Sequence, residues 1–162
     1  MPVEAGMPAP LFHLNDAEND ETYHLDEALQ RGPALIGIYK SSCEASKTVF
    51  PFLEKIHLAY PDLTVWGVAQ DSANVTRSFT RRTGVSFPML LDGDDYSVSR
   101  AYDIVATPSL FLIDRSGTVV WQRTGFQKAS MVELSETIAG LLGVVPADVV
   151  AGLESAPAWV PG

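Results

Sequence analysis

Six consecutive apolar residues, Ala34-Leu35-Ile36-Gly37-Ile38-Tyr39, lead through a short polar loop to the only cysteine of the chain, Cys43. A run without polar alternation reads as a central strand covered on both faces, which demands helices above and below a sheet. A helical pattern begins directly afterwards. From Ala45, the residues Val49, Phe52, Leu53, Ile56 and Tyr60 recur with helical spacing. Pro51 lies inside this pattern and is expected to kink the helix.

The same alternation continues along the chain. Leu11 to Leu14 and Thr22 to His24 read as a short strand pair around the acidic turn Asp16 to Glu21, and Asp26 as the cap of a brief helix ending near Gly32. Leu63 to Ala69 and Phe87 to Leu91 read as strands, with helices over Ala73 to Arg82 and Tyr96 to Tyr102. Ser109 to Asp114 and Thr118 to Thr124 form a hairpin signal around Arg115-Ser116-Gly117. Ser130 to Leu142 closes the pattern as a helix. Strands alternating with helices define an α/β chain. The expected organisation is one domain over residues 1–143 and a tail over 144–162 carrying three prolines.

Charge and cysteine count narrow the function. The net charge of −9 and a pI near 4.6 disfavour nucleic acid and anionic membrane surfaces as partners. No apolar run reaches the roughly 18 residues of a membrane helix. One cysteine excludes an internal disulfide and a multi-cysteine zinc site. Met1 to Leu11 shows neither a basic nor an apolar leader segment, so a cytoplasmic location is expected. His13, His24 and His57 have no ligand spacing. Asp92-Gly93-Asp94-Asp95 fails as a calcium loop, since Ser97 stands where glycine is needed and Asp103 where a bidentate glutamate is needed. Asn74-Val75-Thr76 matches a glycosylation sequon, relevant only to a secreted chain.

Cys43 is the candidate nucleophile. A helix start presents unpaired N–H groups and partial positive charge, and both favour the reactive thiolate. Lys40 adds to this if its ammonium points at the sulfur, whereas Glu44 opposes it. Ser46 lies one turn on and can donate to the sulfur, giving the motif Cys43-Glu44-Ala45-Ser46. A second feature, Ala106-Thr107-Pro108, opens the apolar strand at Ser109.

These residues carry a resemblance. The strand before Cys43, the Cys-x-x-Ser helix start, Pro51 five residues after Ser46 and Thr107-Pro108 before a strand resemble the thioredoxin superfamily. The redoxin branch is the most similar, meaning TlpA/ResA-like oxidoreductases and alkyl hydroperoxide reductase/thiol-specific antioxidant relatives. Its marks here are the amino-terminal strand pair, the extra strand and helix before Pro108, and residues 111 to 120. The resemblance spans about residues 8 to 143. It implies a thioredoxin-like mixed sheet flanked by helices, with the amino-terminal strand pair and an inserted strand-helix unit. It also implies a nucleophilic Cys43 and a cis Thr107–Pro108 bond facing it. Thr107, Pro108, Ser42 and Lys40 are the expected substrate contacts.

Two departures matter. The usual Trp-Cys-x-x-Cys reads here Ser42-Cys43-Glu44-Ala45-Ser46, so the tryptophan and the resolving cysteine are absent. Ile36 and Lys40 stand where a peroxiredoxin has Pro and Thr or Ser. The expected activity is monothiol disulfide exchange with an external thiol, such as glutathione or thioredoxin, and no cofactor or metal. One-cysteine peroxide reduction, an antioxidant role, and a redox-inactive binding module are the alternatives. The expected partners are a protein or small-molecule disulfide, and a homodimer is left open.

Overall fold

The computed structural model describes all residues, Met1–Gly162. Its centre is β3, Ala34–Tyr39, in which every residue is buried. It pairs in parallel with β4, Thr64–Ala69, which pairs in parallel with β5, Met89–Leu91. On its other side β3 pairs antiparallel with β6, Ser109–Ile113, and β6 with β7, Val119–Thr124. The sheet order is therefore β5-β4-β3-β6-β7, a five-stranded mixed sheet.

The two-residue period of the strands sorts their side chains into two cores. Leu35, Tyr39, Val65, Leu110 and Leu112 face one layer. That layer holds α2, Glu44–Ala59, α3, Ala73–Thr83, and α5, Lys128–Leu142. Ile36, Ile38, Trp66, Val68, Phe111 and Ile113 face α1, Leu25–Arg31, and α4, Ser97–Ala101. Gly37 and Gly67 lie side by side in the β3–β4 register. A methyl on Gly37 would meet Leu53 at 3.3 Å, so the absent side chain lets α2 sit close to the sheet.

β1, His13–Asn15, and β2, Thr22–His24, form the amino-terminal pair. The ladder begins at His13 rather than Leu11, because His24 is the last residue available to pair with it. Asp26 is not the cap of α1. His24 takes the N-cap position without a side-chain bond, and Asp26 lies in the first turn, where its charge suits the helix dipole. α2 runs unbroken through Pro51, which lacks the N–H that the Lys47 carbonyl would otherwise receive. No helix is long and apolar enough to cross a membrane.

Residues 144–162 lie against the first core. Val149 is buried, and Ala147, Val150, Leu153, Ala156 and Val160 pack beside it. A small antiparallel ladder joins β8, Phe126–Gln127, to β9, Trp159–Val160.

Candidate active site

Strand β3 delivers the chain to the site. The Cys43 N–H donates to the Lys40 carbonyl at 3.0 Å, and the Ser41 N–H donates to Asp71 Oδ2 at 2.8 Å. These bonds fix the turn that places Cys43 as N-cap of α2, with φ −86° and ψ 126°. Its carbonyl accepts the first helical bond, from Lys47 N–H at 3.2 Å.

The Cys43 thiol donates to the Thr107 carbonyl oxygen at 3.2 Å. Thr107 precedes Pro108 through a cis peptide bond at the entrance to β6. Partial burial pushes the Cys43 pKa up, but donors outweigh it. They are the Ser46 N–H, the Ser46 and Thr107 hydroxyls and the Ala45 N–H, all of which favour the thiolate. The thiol's own bond to the Thr107 carbonyl works the other way, since it stabilises the protonated form. The net direction is down from the ordinary cysteine value. Ser46 is fully buried, and its hydroxyl has no standing hydrogen-bond partner beside the neutral thiol. It becomes a donor to sulfur only when the proton leaves, so the two descriptions of Ser46 refer to different charge states of Cys43.

The structure thus brings Cys43, Ser46, Thr107 and Pro108 together. Lys40 and Ser42 are on the adjoining loop with exposed side chains. Lys40 makes no ion pair, and its role at the site is the carbonyl that holds the Cys43 N–H. Glu44 pairs with Lys47 at 3.7 Å. Sequence reasoning missed Asp71. The parallel pairing of Tyr39 with Ala69 puts the residues after β4 beside the loop after β3, and that adjacency is the signal. No group of three or more His, Cys, Asp or Glu side chains is arranged to hold a metal ion.

A helix-borne thiol turned toward a prolyl loop across the middle of a mixed sheet is the arrangement of a thioredoxin-like redoxin, whose chemistry needs no cofactor. The chain belongs to the AhpC/TSA family, whose model matches residues 5–122. It is of the thiol-disulfide oxidoreductase type. It is 31% identical over 133 residues to the thiol-disulfide oxidoreductase ResA of Bacillus subtilis strain 168, covering 80% of this chain and 73% of ResA. A Chlorobium tepidum protein assigned as the thiol:disulfide interchange protein DsbE shares the fold, with TM-score 0.79 and 24% identity. That match covers 87% of this chain and 99% of the other. A secreted disulfide oxidoreductase of Mycobacterium tuberculosis, homologous to E. coli DsbE, also shares it. Its TM-score is 0.67 at 21% identity, over 80% of this chain and 96% of the other.

These relatives correct the expected cytoplasmic location, since they include a secreted protein and point away from the cytoplasm. The reason is physical. A leader removed on export leaves no trace in the mature chain, so the lack of one in Met1 to Leu11 is silent about location.

Proposed function

We propose that the chain performs monothiol disulfide exchange on a protein or small-molecule disulfide. The observation that supports it most is the Cys43 sulfur at the head of α2, facing the Thr107 carbonyl and backed by the unpartnered Ser46 hydroxyl. The Cys43 thiolate attacks one sulfur of the disulfide. A Cys43–substrate disulfide forms, the substrate S–S bond breaks, and the other half leaves as a thiolate that takes a proton from water. An external thiol, such as glutathione or thioredoxin, then attacks the mixed disulfide. Its thiolate attacks the Cys43 sulfur and frees the substrate thiol, and a second external thiol then attacks the new mixed disulfide, so that Cys43 leaves as thiolate and the external thiols leave as their disulfide. Ser46 stands where a second thiol would close an internal disulfide, so the mixed disulfide must be resolved from outside.

Thr107 and Pro108 serve as the wall along which an extended substrate lies, with the Thr107 backbone as its pairing edge. The exposed Ser42 and Lys40 side chains border the entry. Incubation of the protein with a disulfide-bonded substrate should trap a covalent adduct at Cys43, seen by intact mass. Added glutathione should release it with turnover. An adduct that forms equally in Cys43→Ser overturns the reading, as does a native protein that forms none. Sulfenic acid at Cys43 after peroxide, without any mixed disulfide, would move the reading to peroxide reduction.

A further inference from the structure

The Thr107 carbonyl has a second neighbour besides the Cys43 sulfur. Gly162 packs against it so tightly that a methyl on Gly162 would lie 2.7 Å from the Thr107 oxygen and 3.4 Å from Ala106 Cβ. Next to it is Gly125, buried and at φ +76°, whose own side-chain position would meet the Gly162 nitrogen at 3.0 Å and the Val160 oxygen at 3.2 Å. The segment Trp159–Gly162 therefore runs as an extended strand past Gln127, Phe126 and Gly125 and reaches the loop that faces the thiol.

We propose that Trp159–Gly162 is a strap lying where an extended disulfide substrate must lie, so that a polypeptide reaches Cys43 only when the strap is released. The proposal rests on the disulfide-exchange reading above. Three features make the strap displaceable. Its ladder is two residues long, Phe126 opposite Val160 and Gln127 opposite Trp159. Only Val160 is half-buried, while Trp159 is 61% exposed and Pro161 and Gly162 are exposed. The firmer anchors stop just short of it: Lys128 N–H donates to the Ala158 carbonyl at 2.9 Å, and Lys128 Nζ to the Glu154 carbonyl at 2.7 Å. Release therefore costs the ladder and the Val160 contact, with the rest of residues 144–158 left in place. What the strap is made of also defines the substrate. An extended stretch with an apolar residue at the Val160 position and a small residue beside Thr107 fits the same channel.

The test compares two thiol-directed probes on the full chain. One is a short apolar peptide whose cysteine is capped as a mixed disulfide with thionitrobenzoate; attack by Cys43 joins the peptide to the protein and releases the coloured thiolate. The other is iodoacetamide, small enough to enter beside the strap. Val160→Asp removes the apolar anchor, and Gly162→Ala drives a methyl into the Thr107 carbonyl. Each should raise the peptide rate about tenfold by enlarging the open population, and change the iodoacetamide rate by less than about twofold. Adding free Ala-Trp-Val-Pro-Gly peptide to Val160→Asp should slow the peptide probe again. A thermal melt identifies a variant that has unfolded; if Val160→Asp does so, Gly162→Ala decides alone. Folded variants that take the peptide probe at the native rate overturn the strap. Failure of iodoacetamide to label native Cys43 overturns the reactive-thiol reading instead, so the two failures are separable.

Discussion

The Cys43 sulfur lies 3.2 Å from the carbonyl oxygen of Thr107, a residue 64 positions away along the chain. Sequence distance of this kind closes only through the sheet, because β3 and β6 are antiparallel neighbours whose ends meet at the site. The bond also fixes what deprotonation changes. On losing its proton the sulfur gives up its donation to Thr107 and becomes an acceptor for Ser46 and Ala45.

The first prediction follows from that exchange. The rate of Cys43 alkylation against pH should show a midpoint below the ordinary cysteine value of about 8.5. Because the folded pKa is the lower one, the thiolate adds stability above the unfolded pKa, and this addition is lost as pH falls through the folded value. A melt series in alkaline buffer should therefore show the native protein gaining on Cys43→Ala as pH rises. A midpoint at or above 8.5 contradicts the donor arrangement.

Ser46→Ala separates reactivity from stability. The Ser46 hydroxyl is buried and unpartnered in the thiol state, so its removal should cost little or even stabilise, within about 1 kcal/mol. The alkylation midpoint should nevertheless move up, because two of the donors to the thiolate come from residue 46 and one is lost. Denaturant melts and pH profiles on the same sample check both halves. An unchanged midpoint would remove Ser46 from the site. Ser46→Cys should in turn acquire an internal disulfide on oxidation, and each reduced molecule should release one substrate disulfide as thiols in a single turnover without added thiol, with further cycles needing an external reductant.

β3 was readable because all six of its residues are apolar and all six are buried, a pattern few other structures satisfy. Cys43 at the head of α2 followed from the same run, as strand, loop and helix are contiguous. The sequence pattern starts β1 at Leu11 because Phe12 and Leu14 pack on the core, while the ladder is set by which residue His24 meets. Asp26 reads as a cap for a related reason: a carboxylate suits both the cap and the first turn, and local sequence does not choose between them. The strand β9 left no mark, since its two residues owe their form to bonds with Phe126 and Gln127, more than thirty positions earlier. Gly162 beside Thr107 was equally silent, because a close approach is a property of the pair.

Asp71 supplies a test of how the loop before Cys43 is held. Its carboxylate accepts the Ser41 N–H at 2.8 Å, and Gln70 N–H donates to the Tyr39 carbonyl at 3.0 Å just before it. Asp71→Ala leaves the partly buried Ser41 N–H without a partner and should cost about 1–3 kcal/mol. Cys43 alkylation should slow as the turn loosens. Asp71→Asn keeps an acceptor and should recover most of both. If Asn and Ala behave alike, the charge rather than the hydrogen bond is what matters there.

Tyr60 ties the end of α2 to the segment that leads to the strap. Its hydroxyl donates to Ser135, at 2.7 Å from the hydroxyl and 3.1 Å from the carbonyl, and accepts from the Ala147 N–H at 2.8 Å, while the Ser135 hydroxyl donates to the Ala147 carbonyl at 2.8 Å. The Tyr60–Ser135 contacts are buried, with Tyr60 2% and Ser135 1% exposed, and the two bonds to Ala147 are partly buried. Tyr60→Phe keeps the ring packing but strands the Ala147 N–H and one lone pair of the Ser135 carbonyl. Stability should fall by about 1–3 kcal/mol, the cost of buried polar groups without partners. The loss should be local: hydrogen exchange should rise at Ala147 and along residues 144–160 while β3 and β4 keep their protection. Because residues 144–158 hold the strap in register, the peptide probe should also react faster with Cys43 in Tyr60→Phe, with iodoacetamide nearly unaffected. Uniform loss of protection across β3 and the tail alike would mean that Tyr60 stabilises the whole core and that the tail does not open as a separate unit.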